Sequence, residues 1–532
     1  MKTFWWVLLL CAAQVVMRGG VTISGAGISF ATGGPPNYSG ADITTNVYQL
    51  ASPLPSWGDP LHGASGTCAT VTNMASPTTI CRVTNFDNVC GPTNGGQSGL
   101  VATTLDSDEV HFSPDDSLVW LGSTGGGQCV YLYNGPAQSV QKIGQITSST
   151  GGAVGVANLI FSKQIATPKV IYSNNSNSNA AGNASRGQIL SWDFTGLGAG
   201  GGVPTPGTVY NFIQGQSGSW GTTSANCLPT GYSVTWTSSI RESANGQIFA
   251  MGFSNNGGQN TGFDVVVYKV GSGCIHLNTN GLTITGDWGV TTANGLTNEH
   301  FNVHNVNLSG DGTYVIISWN VCVSGTCTPP FNYDSYIWVP STGLVTYDCN
   351  NNVTGSKCSG HGALGYTSFT NASSATAFQE EIRLFAGSPN APTDLKSSSL
   401  VCSPYNWLVH NSWVNGNSSD TLPVVDFTYN SLGLTGLPSA PFVCAYTNEI
   451  DLVPPQGFGN PGSGPVLRET QIYNSGIEGV AALDTNIGAI SQTGKYMIWT
   501  SDGMGQFGST AGAESCTIGS SCRGDVLGMI LK

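Results

Sequence analysis

Seven histidines are spread over 532 residues. Four of them, His111, His304, His361 and His410, stand in or beside segments that read as the first strand of a repeated unit. If those strands line a common centre, the imidazoles converge there. Neutral imidazole nitrogens, with water, hold Mn²⁺, Zn²⁺ or Ca²⁺. His300 shares strand parity with His304, so both face one side. Asp106, Asp108, Glu109 and Glu299 offer oxygen ligands nearby. Such a divalent centre would serve metal-assisted cleavage of a polysaccharide, as a lyase or a glycoside hydrolase. The competing reading has these histidines hydrogen-bonded separately at strand ends, with no cofactor and no common site.

Arginines are scarce, and three lie inside apolar runs beside a glutamate. Arg241 adjoins Glu242, Arg383 follows Glu380 and Glu381, and Arg468 adjoins Glu469. Three guanidinium groups gathered on one carboxylate would make an anion site. The plainer expectation is that each arginine pairs with its neighbouring glutamate. Trp57, Trp220, Trp288, Trp407 and Trp413 sit among Gly, Ser and Asn, where exposed rings suit sugar faces. The plainer reading puts them in the core. Arg523-Gly524-Asp525 is an adhesion tripeptide in other settings, but three residues arise often by chance, and this one abuts a strand and Cys522. Asn-x-Ser/Thr sites such as Asn183, Asn307 and Asn371 matter only in a glycosylating host. No Gly-x-Ser-x-Gly elbow, His-Glu-x-x-His or Gly-x4-Gly-Lys-Ser/Thr is found. The residues leave open whether the chain is an enzyme.

The elements that would position these groups are strands. No sustained i, i+3, i+4, i+7 pattern occurs. Phe378 to Phe385 reads as either helix or strand. Elsewhere short β-rich runs alternate with Gly, Asn, Ser and Pro clusters. One phrase recurs: Ser, a polar turn, then a strongly apolar strand. Ser113-Pro114-Asp115-Asp116-Ser117 leads into Leu118 to Leu121. Ser243 to Gly246, Ser309 to Gly312 and Ser491 to Gly494 lead into equivalent runs. The anchors fall at 113, 243, 309 and 491, and the gaps of 130, 66 and 182 correspond to two, one and three units of 61–66 residues. Weaker anchors fill the gaps at Ser162 to Pro168, Asn371 to Ser374 and Asn415 to Asn417. Further strands are expected at Gln128 to Tyr133, Ser139 to Ile146, Phe263 to Val270, Cys274 to Thr279, Ser335 to Val339, Leu344 to Cys349 and Asp525 to Leu531.

The expected fold is therefore all-β: a propeller of seven blades, each of four antiparallel strands, over 101–532. Two β-sandwich domains are the alternative. Residues 21–100 lack the repeat and read as a Cys-containing N-terminal extension that covers one face or lends a closing strand. His111-Phe112-Ser113-Pro114-Asp115-Asp116 and Asn307-Leu308-Ser309-Gly310-Asp311-Gly312 resemble the repeats of bacterial TolB-like and WD-like propellers. Ser113, Asp115, Val119 and Trp120 also resemble the Asp-box of sialidase-type propellers, with Ser117 where that box has Gly. The resemblance implies a fold and leaves function to the site.

Residues 1–20 read as an export signal: Lys2, then an apolar run from Phe4 to Val16, too short to span a bilayer. Of 15 cysteines, Cys11 lies in that segment, and 14 remain. An even number in an exported chain points to disulfides. Sequence proximity suggests Cys322 with Cys327, Cys349 with Cys358, and Cys516 with Cys522. The absence of Cys-x2-Cys disfavours zinc on cysteine. Charged residues make up only 8% of the chain, against about 25% in an average soluble protein. Without residues 1–20, 14 basic residues face 29 acidic ones, a formal charge of −15. With no basic run, nucleic acid is excluded as a partner. No later segment reads as a membrane span. The chain reads as secreted, extracellular or periplasmic: a propeller that binds a polysaccharide or an extracellular protein, or serves as a scaffold. The metal-assisted lyase or hydrolase and a surface structural protein are the rivals.

Overall fold

A computed structural model describes residues 21–24, 27–30, 41–42, 55–58, 64–71, 78–85, 90, 110–123, 127–147, 159–164, 169–174, 187–255, 263–297, 303, 305–318, 335–349, 368–373, 379–384, 393–394, 407–412, 424–430, 449–453, 467–471, 473, 488–503, 506–507 and 524–531. The chain is an all-β propeller. Among the described residues, seven sheets of three or more strands follow one another along the chain: the first is Leu118–Ser123, Gly127–Asn134 and Ser139–Gln145, the fourth runs from Asn305–Leu308 through Val315–Ser318 and Ser335–Val339 to Leu344–Cys349, and the sixth from Trp407–Ser412 through Val424–Asn430 and Glu449–Val453 to Leu467–Gln471. The second is a plain antiparallel meander of Leu159–Phe161, Val170–Asn174, Gln188–Asp193 and Gly207–Asn211. In the third, Trp236–Thr237 and Arg241–Glu242 both pair with Ile248–Ser254, and Asp264–Lys269, Gly273–Asn278 and Thr283–Gly286 continue outward. Phe378 to Phe385 resolves as strand Gln379–Leu384, in the fifth sheet.

Two of the three weaker anchors fall where a first strand turns into a second. Ser162 to Pro168 separates Leu159–Phe161 from Val170–Asn174. Asn371 to Ser373 instead end the strand Ser368–Ser373, paired with Glu381, Glu380 and Gln379 of the next strand. Asn415 to Asn417 lies between Trp407–Ser412 and Val424–Asn430.

The N-terminal region is woven into the sheets. The seventh sheet takes Gly488–Ile490, Tyr496–Ser501 and Asp525–Ile530 from the end of the chain and completes itself with Thr78–Arg82 and Thr67–Val71. The pairing is Leu527 with Arg82 and Gly528 with Cys81. Ala41–Asp42 likewise edges the sixth sheet. A buried ion pair reinforces the junction: Arg82 Nε and Nη2 lie 2.8 and 2.6 Å from Asp525 Oδ2. Thr84 donates to the other carboxylate oxygen, and the Phe507 ring lies against the guanidinium.

Successive sheets pack face to face, and their apolar residues fill the seams. Phe112, Val119, Tyr131, Ile498 and Val526 join the seventh sheet to the first. Trp120, Ile160, Ile171, Trp192, Phe249 and Val266 continue through the second to the third. Val265, Val267, Val306, Ile317 and Trp338 join the third to the fourth. Alternation along each strand feeds both seams: on Asp264–Lys269, Val265 and Val267 face one sheet and Val266 and Tyr268 the other. Trp120, Trp192, Trp338 and Trp499 are fully buried, each contributing about 4–6 kcal/mol by area.

Three disulfides are formed among the described residues: Cys68 to Cys81, Cys90 to Cys129 and Cys227 to Cys274. The last two join residues 39 and 47 positions apart, which proximity in sequence does not suggest. Cys322, Cys327, Cys358, Cys516 and Cys522 lie outside the described residues, and Cys349 ends a strand whose backbone alone is described.

Candidate functional site

The recurring serines build the hairpins. Ser113, Ser243, Ser309 and Ser491 each accept, through Oγ, the backbone N–H five residues on, at 3.0, 3.0, 3.0 and 3.1 Å. In three hairpins the serine hydroxyl donates to the side chain two residues on: Asp115 at 2.6 Å, Asn245 at 2.7 Å and Asp311 at 2.5 Å. That oxygen also accepts the backbone N–H of Ser117, Gln247 or Thr313, closing an Asx turn.

The fourth hairpin has Thr493 where an acceptor would be. Ser491 donates instead to Asp116 Oδ2 of the first sheet, at 3.0 Å. Thr493 donates to the same oxygen. Asp116 stands where the other hairpins have Gly246, Gly312 and Gly494, at a φ of 56°. A left-handed backbone is strained for a residue with a Cβ. Here it aims a carboxylate across a seam. Burial, opposed by these hydrogen bonds and by Lys495, pushes the Asp116 pKa up to about 6.

Similar polar links run on through the innermost strands. Gln492 Nε2 donates to the carbonyls of Phe112 and Ser162. Glu242 of the third sheet accepts from Ser162 Oγ at 3.0 Å, Lys163 N at 2.9 Å and Gln164 Nε2 at 3.3 Å, all on the second. Burial raises its pKa against those bonds. Arg241 turns the other way and donates through Nε to Asn307 Oδ1 of the fourth sheet, at 2.7 Å. Neighbours on a strand point to opposite faces, so the expected Arg241 to Glu242 pair does not form. Arg383 and Arg468 lie on the second strand of the fifth sheet and the fourth of the sixth. The three arginines therefore occupy non-equivalent strands.

His111 lies flat on Trp120, ring centroids 4.0 Å apart, and its Nδ1 is 3.0 Å from the Trp120 carbonyl. Burial lowers its pKa to about 4, only partly offset by that bond. The ring is neutral at physiological pH, with Nδ1 as the donor, and Nε2 is buried with no partner. His410 stands on Trp407–Ser412, the innermost strand of the sixth sheet. His304 and His361 lie outside the described residues. Among the described residues, no three His, Cys, Asp or Glu side chains group as a metal site requires.

A further cluster escaped the sequence reading. Asp264 accepts from Tyr232 Oη at 2.5 Å and from Asn278 Nδ2 at 2.9 Å, and lies 2.6 Å from His276 Nε2. Burial would raise the Asp264 pKa, but the hydrogen bond and charge of His276, with the other two donors, hold it below the usual value. Tyr232 belongs to the long connection 212–235 between the second and third sheets. That connection is fastened again by Cys227 to Cys274 and by Asn226 Nδ2 on Asp287 Oδ1 at 2.8 Å. Ser224 also donates to Asp287. Trp220 lies parallel to Tyr268, centroids 5.8 Å apart. Ser217, Ser219, Thr222 and Thr230 remain exposed. These fastenings pair residues far apart in sequence, so no local motif announces them.

The structure favours the plainer of the surface readings. Trp57 is 1% exposed and packs edge-on against Tyr473 and Phe507. Asp525 of the Arg-Gly-Asp tripeptide is buried against Arg82. Asn307 is buried on Arg241, so it presents no glycosylation site. Trp220 and Trp288 are half-buried, the latter beneath Lys269.

No protein-family model matches the chain, and no curated protein matches it. Among solved structures it is similar to an oligogalacturonate lyase in complex with manganese, at 9% identity and a TM-score of 0.49, over 88% of this chain and 96% of that one. It is also similar to TolB from Acinetobacter baumannii, at 13% identity and a TM-score of 0.30, over 64% and 60%. Likeness at this level carries nothing about chemistry.

Proposed function

We propose that this chain is an exported seven-bladed propeller that binds an extracellular polysaccharide or protein, with residues 1–20 as its export signal. The observation that carries this is the connection 212–235. It carries a two-stranded hairpin of its own, Ser217–Gly218 paired with Gly221–Thr222, and surface connections held on a rigid scaffold are where binding residues concentrate. This one is fixed to the third sheet by a disulfide, a Tyr–Asp–His cluster and an Asp287 clasp. The exposed hydroxyls of Ser217, Ser219, Thr222 and Thr230 ride on this fastened segment, with Ser217 Oγ and Thr222 Oγ1 hydrogen-bonded at 3.2 Å. Pre-organisation lowers the entropic cost of binding, and hydroxyl-rich surfaces suit glycan hydrogen bonding. The test is a glycan array and extracellular-protein panel probed with the purified, oxidised protein and with a Cys227→Ser/Cys274→Ser variant. Saturable binding that weakens in the variant, with the far-UV spectrum unchanged, is expected. Self-association with no ligand would replace this reading by a surface structural role.

The open Nε2 of His111 favours a second reading. A histidine whose Nδ1–H is held by a backbone carbonyl has its Nε2 lone pair set for a metal. His304, His361 and His410 would complete the centre of a metal-assisted lyase or hydrolase. Elemental analysis decides: a stoichiometric transition metal lost in His304→Ala supports it, and a metal-free protein removes it.

A further inference from the structure

Arg82 and Arg241 are both buried on their strands, and they are treated differently. Arg82 is 0% exposed and meets the carboxylate of Asp525, equally buried. Arg241 is 6% exposed and meets no carboxylate among the described residues. Its Nε is taken by the neutral Asn307 amide at 2.7 Å. Nη1 makes a long contact of 3.4 Å with the Ile240 carbonyl. Nη2 is buried with no partner at all. The nearest acid in sequence, Glu242, faces the opposite seam and is already engaged by three donors.

An uncompensated buried charge is costly. A chain with 16 basic residues in all places one of them here with no counter-ion among the described residues. The location is an innermost strand, Arg241–Glu242, packed against the innermost strand Asn305–Leu308 of the fourth sheet. Innermost strands border the central channel of a propeller. With Nε occupied, the edge left for a ligand is Nη2, unpartnered, beside Nη1, which has only its long contact with the Ile240 carbonyl. That edge matches the two oxygens of a carboxylate.

We propose that Arg241 is the receptor for a ligand carboxylate, held end-on by Nη1 and Nη2 in the seam between the third and fourth sheets, with Asn307 fixing the guanidinium plane. A monocarboxylate fits better than a phosphate. One guanidinium neutralises one charge, whereas a phosphate dianion would need a second cation, and the chain is strongly acidic overall. The proposal rests on the binding reading above but concerns a different surface from the 212–235 connection.

The experiment has two arms on the purified protein. In the first, glucuronate, acetate, glucose and inorganic phosphate are titrated by calorimetry into the wild type, Arg241→Met and Arg241→Lys. Glucuronate and acetate should bind the wild type, with at least tenfold loss in Arg241→Met and weaker binding in Arg241→Lys. Glucose should not bind. Phosphate binding tighter than acetate, carboxylate binding unchanged in Arg241→Met, or no carboxylate binding by the wild type would overturn the proposal. The second arm needs no ligand. Arg241→Met should melt at or above the wild-type temperature, because it removes a charge that nothing neutralises, whereas Arg82→Met should melt lower. If both variants melt lower by similar amounts, Arg241 is a structural residue and the site is withdrawn, whatever the glycan array returns.

Discussion

Asp116 of the first sheet accepts the hydroxyl of Ser491 from the seventh, 3.0 Å away, and Thr493 donates to the same oxygen. The two sheets come from opposite ends of the repeat series, so this contact joins its ends. Its cost is a left-handed backbone that the equivalent hairpins assign to glycine. Substitutions separate cost from gain. Asp116→Gly relieves the backbone and loses the clasp, Asp116→Ala loses the clasp and keeps the strain, and Asp116→Asn keeps the backbone and part of the bonding. Chemical denaturation should rank stability as wild type, then Asn, then Gly, then Ala. The loss for Ala is about 2–3 kcal/mol, from stranded donors plus strain. Ala as stable as the wild type would show that the clasp contributes nothing.

Two buried groups near the first sheet titrate in opposite senses over one pH range. Asp116 has a folded pKa of about 6 against about 3.9 unfolded. Its contribution to stability is fully present below the unfolded value and is lost as pH rises through 6. His111 has a folded pKa of about 4 against about 6.5 unfolded. Its contribution is present above 6.5 and is lost as pH falls through 4. Each is about 3 kcal/mol at one unit per 1.36 kcal/mol. Between pH 4 and 6.5 the two contributions oppose each other. Asp116→Asn should uncover the histidine and melt lower as pH falls. His111→Phe should uncover the aspartate, reinforced by Glu242, whose pKa burial also raises, and melt higher as pH falls. Parallel profiles for the two variants would contradict the assignment.

The Arg82 to Asp525 pair ties the N-terminal segment to the last strand of the seventh sheet. Breaking one side leaves a buried charge alone. Asp525→Asn should therefore cost about 3–5 kcal/mol, read from the denaturation midpoint. Because Asp525 is 0% exposed, cell-adhesion assays should show no difference between folded wild type and an Asp525→Glu variant.

Much of the fold could be read from residues that act locally. Ser113, Ser243, Ser309 and Ser491 each bond within five positions, so their hairpins leave a mark in the sequence, and strands such as Ser335–Val339 were placed by the same logic. Links across seams leave no such mark. Asp116 reaches Ser491 over 375 positions, and Cys227 finds Cys274 over 47. Reading Arg241 against Glu242 failed because adjacency in a strand separates side chains onto opposite faces. The Tyr232, Asp264 and His276 cluster was missed because the long connection 212–235 brings Tyr232 back onto the sheet.

Reduction of Cys227 to Cys274 is the sharpest probe of that connection. Closing a loop of 47 residues constrains the unfolded chain by about 4 kcal/mol in the chain-entropy account. Tyr232, Asn226 and Ser224 would still hold the connection to Asp264 and Asp287 after the disulfide is removed. Cys227→Ser/Cys274→Ser should thus stay folded but open locally. Limited proteolysis should cut within 212–235 before any strand of the second or third sheet. Adding Asp264→Asn to that variant should accelerate the cut, since it weakens the acceptor that holds Tyr232 and His276. A first cut within a strand, or a rate indifferent to Asp264→Asn, would mean that the cluster does not fasten the connection.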